Sequence, residues 1–383
     1  MSVSSAMYSG ISGLSANGEA MGVVGDNIAN LNTTGFKYSA VHFEDLMAQT
    51  ISTGSGPSQV GRGTRIAEIT PVWSQGSLET SADDLDVAVT GTGFFIVKDS
   101  NSSATYYTRD GNFSLDKDGY LINAHSYRVQ GKEIDATTGT PSGADTDIVI
   151  SQNYAAPKVT ENTEVVLNLN ANASVGDAYS TAETIYDSQG NAHSLNLIFT
   201  KTAANTWTPS ATLDGTYAVT ITDHGAATTT DLTFNSSGTL TDGGSYDLAL
   251  TSPPMSAAAT VWLKMADTSG GSTTQYAAAS ATNYISQDGY GPGFLQRVSV
   301  DNEGIITGNY SNGQIKPLYQ FTLARFTAPN KLHREGTNLY SETDDSGVPL
   351  TGAPGTNGLG KISANSLEQS NVDLANEFVH MIL

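Results

Sequence analysis

Cysteine is absent from all 383 residues, so no disulfide framework and no thiolate metal site can form. Positive charge is scarce as well. Seventeen Lys and Arg stand against 38 Asp and Glu, a formal net charge of -21, which argues against a phosphate-binding surface and so against nucleic acid. Charge of either sign is thin, at 14% of residues against roughly 25% in an average soluble domain. A surface of Ser, Thr, Asn and Gly is buried against copies of itself at less desolvation cost than one covered in ions. A plain secreted β protein shares this composition. No apolar run reaches the length of a membrane span, so no membrane insertion is expected. The first basic residue is Lys37, and Ser, Gly and Asn break every apolar run before it, which excludes the pattern of a signal peptide.

Chemical motifs are missing too. The His residues at 42, 125, 193, 224, 333 and 380 lack the i, i+4 spacing of a zinc site. Asp110-Gly111-Asn112-Phe113-Ser114-Leu115-Asp116 begins like a calcium loop, but its twelfth position is Leu121, and a hairpin is the better reading. There is no G-x-S-x-G, no Walker A and no complete G-x-G-x-x-G. Asp83-Asp84 and Asp344-Asp345 read as solvated turn residues. No enzyme, no cofactor and no metal are expected.

What is present is concentrated at the two ends. Met7, Ile11, Leu14, Gly18, Met21, Gly25 and Ile28 follow steps of four and three, predicting a helix that seeks helical partners. Glycines at 10, 13, 18, 22 and 25 each cost such a helix roughly 1 kcal/mol relative to Ala, and Gly18 with Gly22 leaves room for another backbone. The run Asn30 to Gly35 marks its end, with Gly35 suited to a left-handed stop. At the far end, Leu367, Leu374 and Met381 are seven apart and Phe378 and Ile382 four apart, predicting a second amphipathic helix over 366–383.

The stretch Asp26-Asn27-Ile28-Ala29-Asn30-Leu31-Asn32-Thr33-Thr34-Gly35-Phe36-Lys37, paired with Leu367-Glu368-Gln369-Ser370-Asn371-Val372-Asp373-Leu374-Ala375-Asn376-Glu377-Phe378, resembles the two terminal signatures of the bacterial flagellar rod and hook axial proteins. Gly91 to Val97, Tyr107 to Phe113 and Asp118 to Leu121 resemble the first body domain of that family. The resemblance implies coiled-coil termini around an axial export channel, β domains radiating outward, and assembly residues at Asp26, Asn27, Ile28, Asn30, Asn32, Thr33, Gly35, Phe36, Asn371, Val372, Asp373, Leu374, Glu377 and Phe378. It implies as partners further copies in a helical polymer, the hook cap, the distal rod protein, the hook-filament junction protein and the flagellar export apparatus. The location implied is the extracellular flagellum, reached without a cleaved signal peptide. The family's C-terminal helix runs well past the Asn371-Val372-Asp373-Leu374 motif, whereas this sequence ends at Leu383, so an incomplete inner coiled coil is expected.

The expected fold class is mainly β and multidomain, with nested β domains and α-helical coiled-coil termini. Residues 1–35 and 361–383 are expected to form the terminal helices, and 36–71, with its Gly and Pro, a connecting linker. Residues 72–154 and 286–360 make a discontinuous β body. Here Leu85, Val87 and Val89 alternate, Phe94 to Val97 reads as a buried strand, and Asp110-Gly111 and Asp118-Gly119 read as hairpin turns. Residues 155–285 form an inserted β domain, a sandwich or barrel by the even spacing of Val165 to Leu169, Glu183 to Tyr186, Leu195 to Phe199, Tyr217 to Ile221 and Tyr246 to Leu250. Within the family that insertion favours a hook subunit, a bending torque-transmitting tube, over a distal rod protein. A secreted adhesin-like β protein is the alternative from another class.

Overall fold

A computed structural model describes residues 3–53, 56–135, 138–150, 154–225, 230–268 and 270–382. Met1, Gly54-Ser55 of the expected linker, Ala136, Thr137 and Asn153 at the expected second boundary, and the terminal Leu383 lie outside the described residues. The chain is mainly β, with 48% strand against 10% helix, and falls into two compact units. One comprises Met1–Gln152, Gln296–Asn309 and Ile315–Leu383, the other Asn153–Leu295 and Tyr310–Gln314.

In the first unit, α1 spans Val3–Ala29, about 40 Å at 1.5 Å per residue. It carries no Pro and closes at Asn30, whose N–H is shared between the carbonyls of Asp26 (3.1 Å) and Asn27 (3.2 Å). Gly35 is left-handed, at φ 70°, but it stands beyond the helix end and serves another purpose, described below. The segment expected as a linker is paired backbone instead. Ser39–Asp45 runs antiparallel to Thr64–Pro71, from Ser39↔Pro71 to Asp45↔Thr64 with a bulge at His42/Phe43, and Gln49–Thr53 pairs with Gly56–Val60 beyond it. Gly61 and Gly63 fall between the two ladders, and the β-branched Val41, Ile66, Ile69 and Thr70 carry the first. Breakers at the joints therefore leave the ladders intact.

The body sheet runs in the order Leu295–Val300, Ile305–Tyr310, Ile315–Phe321, Arg128–Ile134, Phe94–Lys98, Thr105–Thr108, Leu339–Ser341, His333–Gly336. Phe94 to Val97 is buried as expected, and Asp118-Gly119 does turn between Leu115 and its partner Leu121. Asp110-Gly111 does not close a hairpin. Thr105–Thr108 pairs with Phe94–Lys98 and Leu339–Ser341, whereas Phe113–Leu115 pairs with Leu121–Asn123. Gly111 instead lies against the Val87 carbonyl, where an added Cβ would sit 1.6 Å from the oxygen. Val87, Ala88 and Val89 are all 0% exposed, so the expected alternation there gives way to a strand buried on both faces and paired with Lys361–Ala364. Asp84 is likewise held, by a bidentate pair with Arg297 and a hydrogen bond from Asn365.

The predicted C-terminal helix needs correction. Residues 361–364 and Ser366–Glu368 are strands, the second paired with Leu78–Thr80, and α2 covers only Leu374–Ile382. Two forces decide this. Asp373 caps the helix, its Oδ1 accepting from Ala375 N–H at 2.9 Å, and Glu368 is buried by ionic partners that a helix beginning at Ser366 would not reach.

In the second unit the main sheet follows the path Ala178–Tyr186, Ala192–Ala203, Thr206–Leu213, Tyr217–Asp223, Ser245–Leu250, Ala259–Lys264, Asn162–Asn168, Ala281–Gln287. Its two ends meet. Tyr179 Oη lies 3.0 Å from Thr282 Oγ1, which donates to Thr181 Oγ1 at 3.0 Å, so the sheet curls into a nearly closed barrel. The interior is continuous and apolar, with Leu167, Phe199, Trp207, Leu232, Leu248 and Leu263 each at most 1% exposed. Thr206–Leu213 escaped the sequence reading because of Pro209. Pro209 pairs with Phe199 on one side, and on the other falls in a gap between partners that take 206–207 and 211–213.

Candidate functional site at the joined termini

The two terminal signatures meet in the first unit. Asn27, 1% exposed, donates from Nδ2 to Ser39 O (3.0 Å) and to Glu377 Oε2 (3.2 Å), while its Oδ1 accepts from Ser39 N–H (2.9 Å). One amide thus joins α1, the paired arm and α2. Asn371 does the same on the other side. Its Oδ1 accepts from Tyr38 N–H at 2.8 Å and its Nδ2 donates to Val72 O at 2.8 Å and Ser74 Oγ at 2.9 Å. Asn30 folds back onto Asp26, donating to its carbonyl (2.9 Å) and Oδ1 (3.1 Å), and accepts from Thr33 Oγ1 at 3.0 Å. Gly35 N–H donates to Glu368 O at 2.7 Å. A Cβ at Gly35 would lie 2.7 Å from Asp110 N, so its left-handed turn permits a close crossing of backbones. Phe36 and Val372 are buried, and the Arg334 guanidinium lies 5.9 Å above the Phe36 ring.

Beneath these amides is an ionic triad that the sequence reading passed over. Glu368 accepts from Lys37 Nζ (2.6 Å) and Gly76 N–H (3.0 Å) on Oε1, and from Arg109 Nη1 (3.3 Å) on Oε2. The side chains of Lys37 and Glu368 are 0% exposed and that of Arg109 3%. Lys37 also donates to Ser74 O at 2.7 Å, and Arg109 to Gly91 O at 2.7 Å. Burial pulls the Lys37 ammonium below its ordinary range, with Glu368 opposing that shift, and Arg109 is lowered for the same reason. One carboxylate therefore ion-pairs with two buried cations from different segments. All three lay inside the quoted stretches, but Lys37 and Glu368 each have a single apolar residue before them and polar ones around, so the local sequence carries no signal of burial.

Not every expected residue joins this cluster. Asp26 and Asn32 are exposed, and Ile28 and Thr33 are partly covered. Leu374 and Phe378 are 39% and 47% exposed. On α1 an apolar seam is likewise left uncovered, Met7, Ile11, Leu14 and Met21 being exposed at 63%, 58%, 77% and 55%. At roughly 100° per residue that seam lies opposite the face bearing Ser12, Ala16, Ala20, Val24 and Asn27, which packs on the chain's own arm and α2. The five helical glycines have no atom within 4 Å of a built Cβ. No cluster of three or more His, Asp or Glu able to hold a metal occurs among the described residues.

A helical end with an unburied apolar seam, closed by its own far terminus onto a β body, is the arrangement of an axial assembly protein. Residues 7–37 match the family model described as flagella basal body rod protein, 88–167 that of the flagellar hook protein FlgE/F/G D1 domain, and 158–290 that of the flagellar basal body protein FlaE D2 domain. The chain is 36% identical to the flagellar hook protein FlgE of Escherichia coli K12 over 97% of its own length and 92% of the relative's. To the flagellar hook protein FlgE of Treponema pallidum it is 34% identical, covering 98% and 93%. A crystal structure of Helicobacter pylori flagellar hook protein FlgE2 shares the fold, at TM-score 0.55 and 15% identity over 76% of this chain and all of that one. This chain belongs to the flagellar hook protein family.

Proposed function

We propose that this chain is the structural subunit of a flagellar hook, polymerising into a hollow flexible tube that transmits motor torque to the filament. The observation that carries this reading is the exposed seam of α1. An apolar stripe of helical period that the chain leaves uncovered calls for helices of further copies, and open glycines along it allow close approach. Ten of the fourteen terminal residues then divide by task. Asn27, Asn30, Gly35, Phe36, Asn371, Val372, Asp373 and Glu377 set the geometry of the joined ends, and Leu374 and Phe378 extend the surface offered to neighbours. The barrel unit, polar and sparsely charged, suits contacts between copies that exchange as the tube turns. Contacts with a cap, a distal rod protein, a junction protein and the export apparatus follow from the same reading, as does a place at the hook and basal body of the flagellum. The role is mechanical, not catalytic.

The test is complementation of a source strain lacking its own copy. Leu14→Asp places a charge on the seam without touching the buried face, so monomer stability should stay within about 0.5 kcal/mol while hooks vanish from electron micrographs. Hooks of normal length on cells carrying Leu14→Asp would end the seam argument.

A further inference from the structure

Beside the ionic triad, sharing its Arg109, the first unit carries a pocket of about 430 Å³ whose walls include Trp73, Phe94, Phe326 and Pro329, with Arg109 and Arg325 as its cations and no acidic lining residue. Two of its N–H groups are unmatched. Arg109 is 3% exposed and uses Nη1 and Nη2 on Val89 O, Glu368 and Gly91 O, but its Nε, like Trp73 Nε1, has no acceptor among the described residues. Arg325 is exposed and in no ion pair among the described residues. Its guanidinium is therefore available to a carboxylate from outside the chain.

We infer that this pocket receives an acidic side chain from a second copy of the chain, its carboxylate against Arg325 and its stem against Trp73, Phe94 and Phe326. Charge selects the occupant. Every copy carries a net charge of -21, so association needs places where that repulsion is offset, and an apolar pocket holding only cations is such a place. Its unmatched donors favour an acceptor-bearing guest over a purely apolar one. The inference rests on the polymer reading above and adds which surface of the body a neighbour engages.

The experiment places the photo-cross-linker p-benzoylphenylalanine at Thr327, a lining residue, in the full chain expressed in its flagellated source, with mass spectrometry of the adducts and electron micrographs of hooks. The expected product joins two copies at a segment containing Asp or Glu. Adducts confined to the chain itself, or formed with another protein, overturn the pocket assignment, and hooks still present would leave the polymer reading standing. Two-copy adducts without hooks would uphold the pocket and overturn the polymer. Arg325→Glu should raise the concentration needed for self-association at least tenfold with unchanged monomer melting, and Arg325→Lys should retain most of it. Arg325→Glu associating like the parent chain overturns the proposal.

Discussion

The barrel unit and the joined termini are held together by opposite means. In the barrel, strands from Asn162 to Gln287 enclose a continuous apolar interior built from every second residue. At the termini the fixing is done by polar groups, the buried charges of Lys37, Arg109, Glu368 and Glu377 with the buried Asn27 and the half-buried Asn371. The difference teaches something about tolerance. An apolar interior accepts conservative exchange of shape and volume, whereas a buried carboxylate serving two cations has no near substitute. The barrel can drift in sequence while keeping its fold, and the clamp cannot.

The sharpest way to break the comparison is at Glu368. Glu368→Ala strands Lys37 and Arg109 without a counterion, and we expect a loss of about 3–5 kcal/mol confined to the terminal region. Hydrogen exchange read by segment should show Tyr38, Ser39 and the amides of 371–377 losing protection while the barrel strands keep theirs. Uniform loss across both would show that the clamp is not a separate device. Leu248, 0% exposed, offers the converse. Leu248→Ala should cost about 2–5 kcal/mol through the cavity it leaves, and the same measurement should place the loss in the barrel.

A smaller effect separates the two by pH. Burial raises the Glu183 carboxyl to about 7, against a hydrogen bond from Thr163 that lowers it. Because the folded value lies above the unfolded 4.5, the folded state binds the extra proton between the two. The contribution of Glu183 to barrel stability should therefore be full below pH about 4.5, fall as pH rises to about 7, and stay flat beyond. With allowance for solvent screening the change is of order 2 kcal/mol. Glu183→Gln should abolish that slope in urea melts across this window; an unchanged slope would assign it to other groups.

How much of this was legible beforehand varied with the kind of force at work. Even spacing of short apolar segments and turns marked the strands at Val165, Leu195, Tyr217 and Tyr246, because a sheet of hairpins repeats strand and turn along the chain. Steps of three and four on α1 marked the seam, and the structure leaves that seam exposed on the face opposite the one packed within the chain. The same arithmetic failed at the other end. Leu367, Leu374 and Met381 keep a heptad, yet Leu367 is in a strand, since the demand of Glu368 for Lys37 and Arg109 outweighs a local period. The arm at 39–71 was obscured for a related reason: Gly and Pro were read as breaks in structure when they mark the joints between ladders.

The sequence by itself determined the class of protein, the absence of disulfide chemistry, the apolar seam of α1 and most barrel strands, because these follow from composition and from periods counted along one segment. Only the tertiary structure decided that Asn27 meets Glu377, that Glu368 serves Lys37 and Arg109, and that Trp73, Phe94 and Arg325 share a pocket. Those pairings join residues up to 350 positions apart, and no local pattern encodes a partner at that distance.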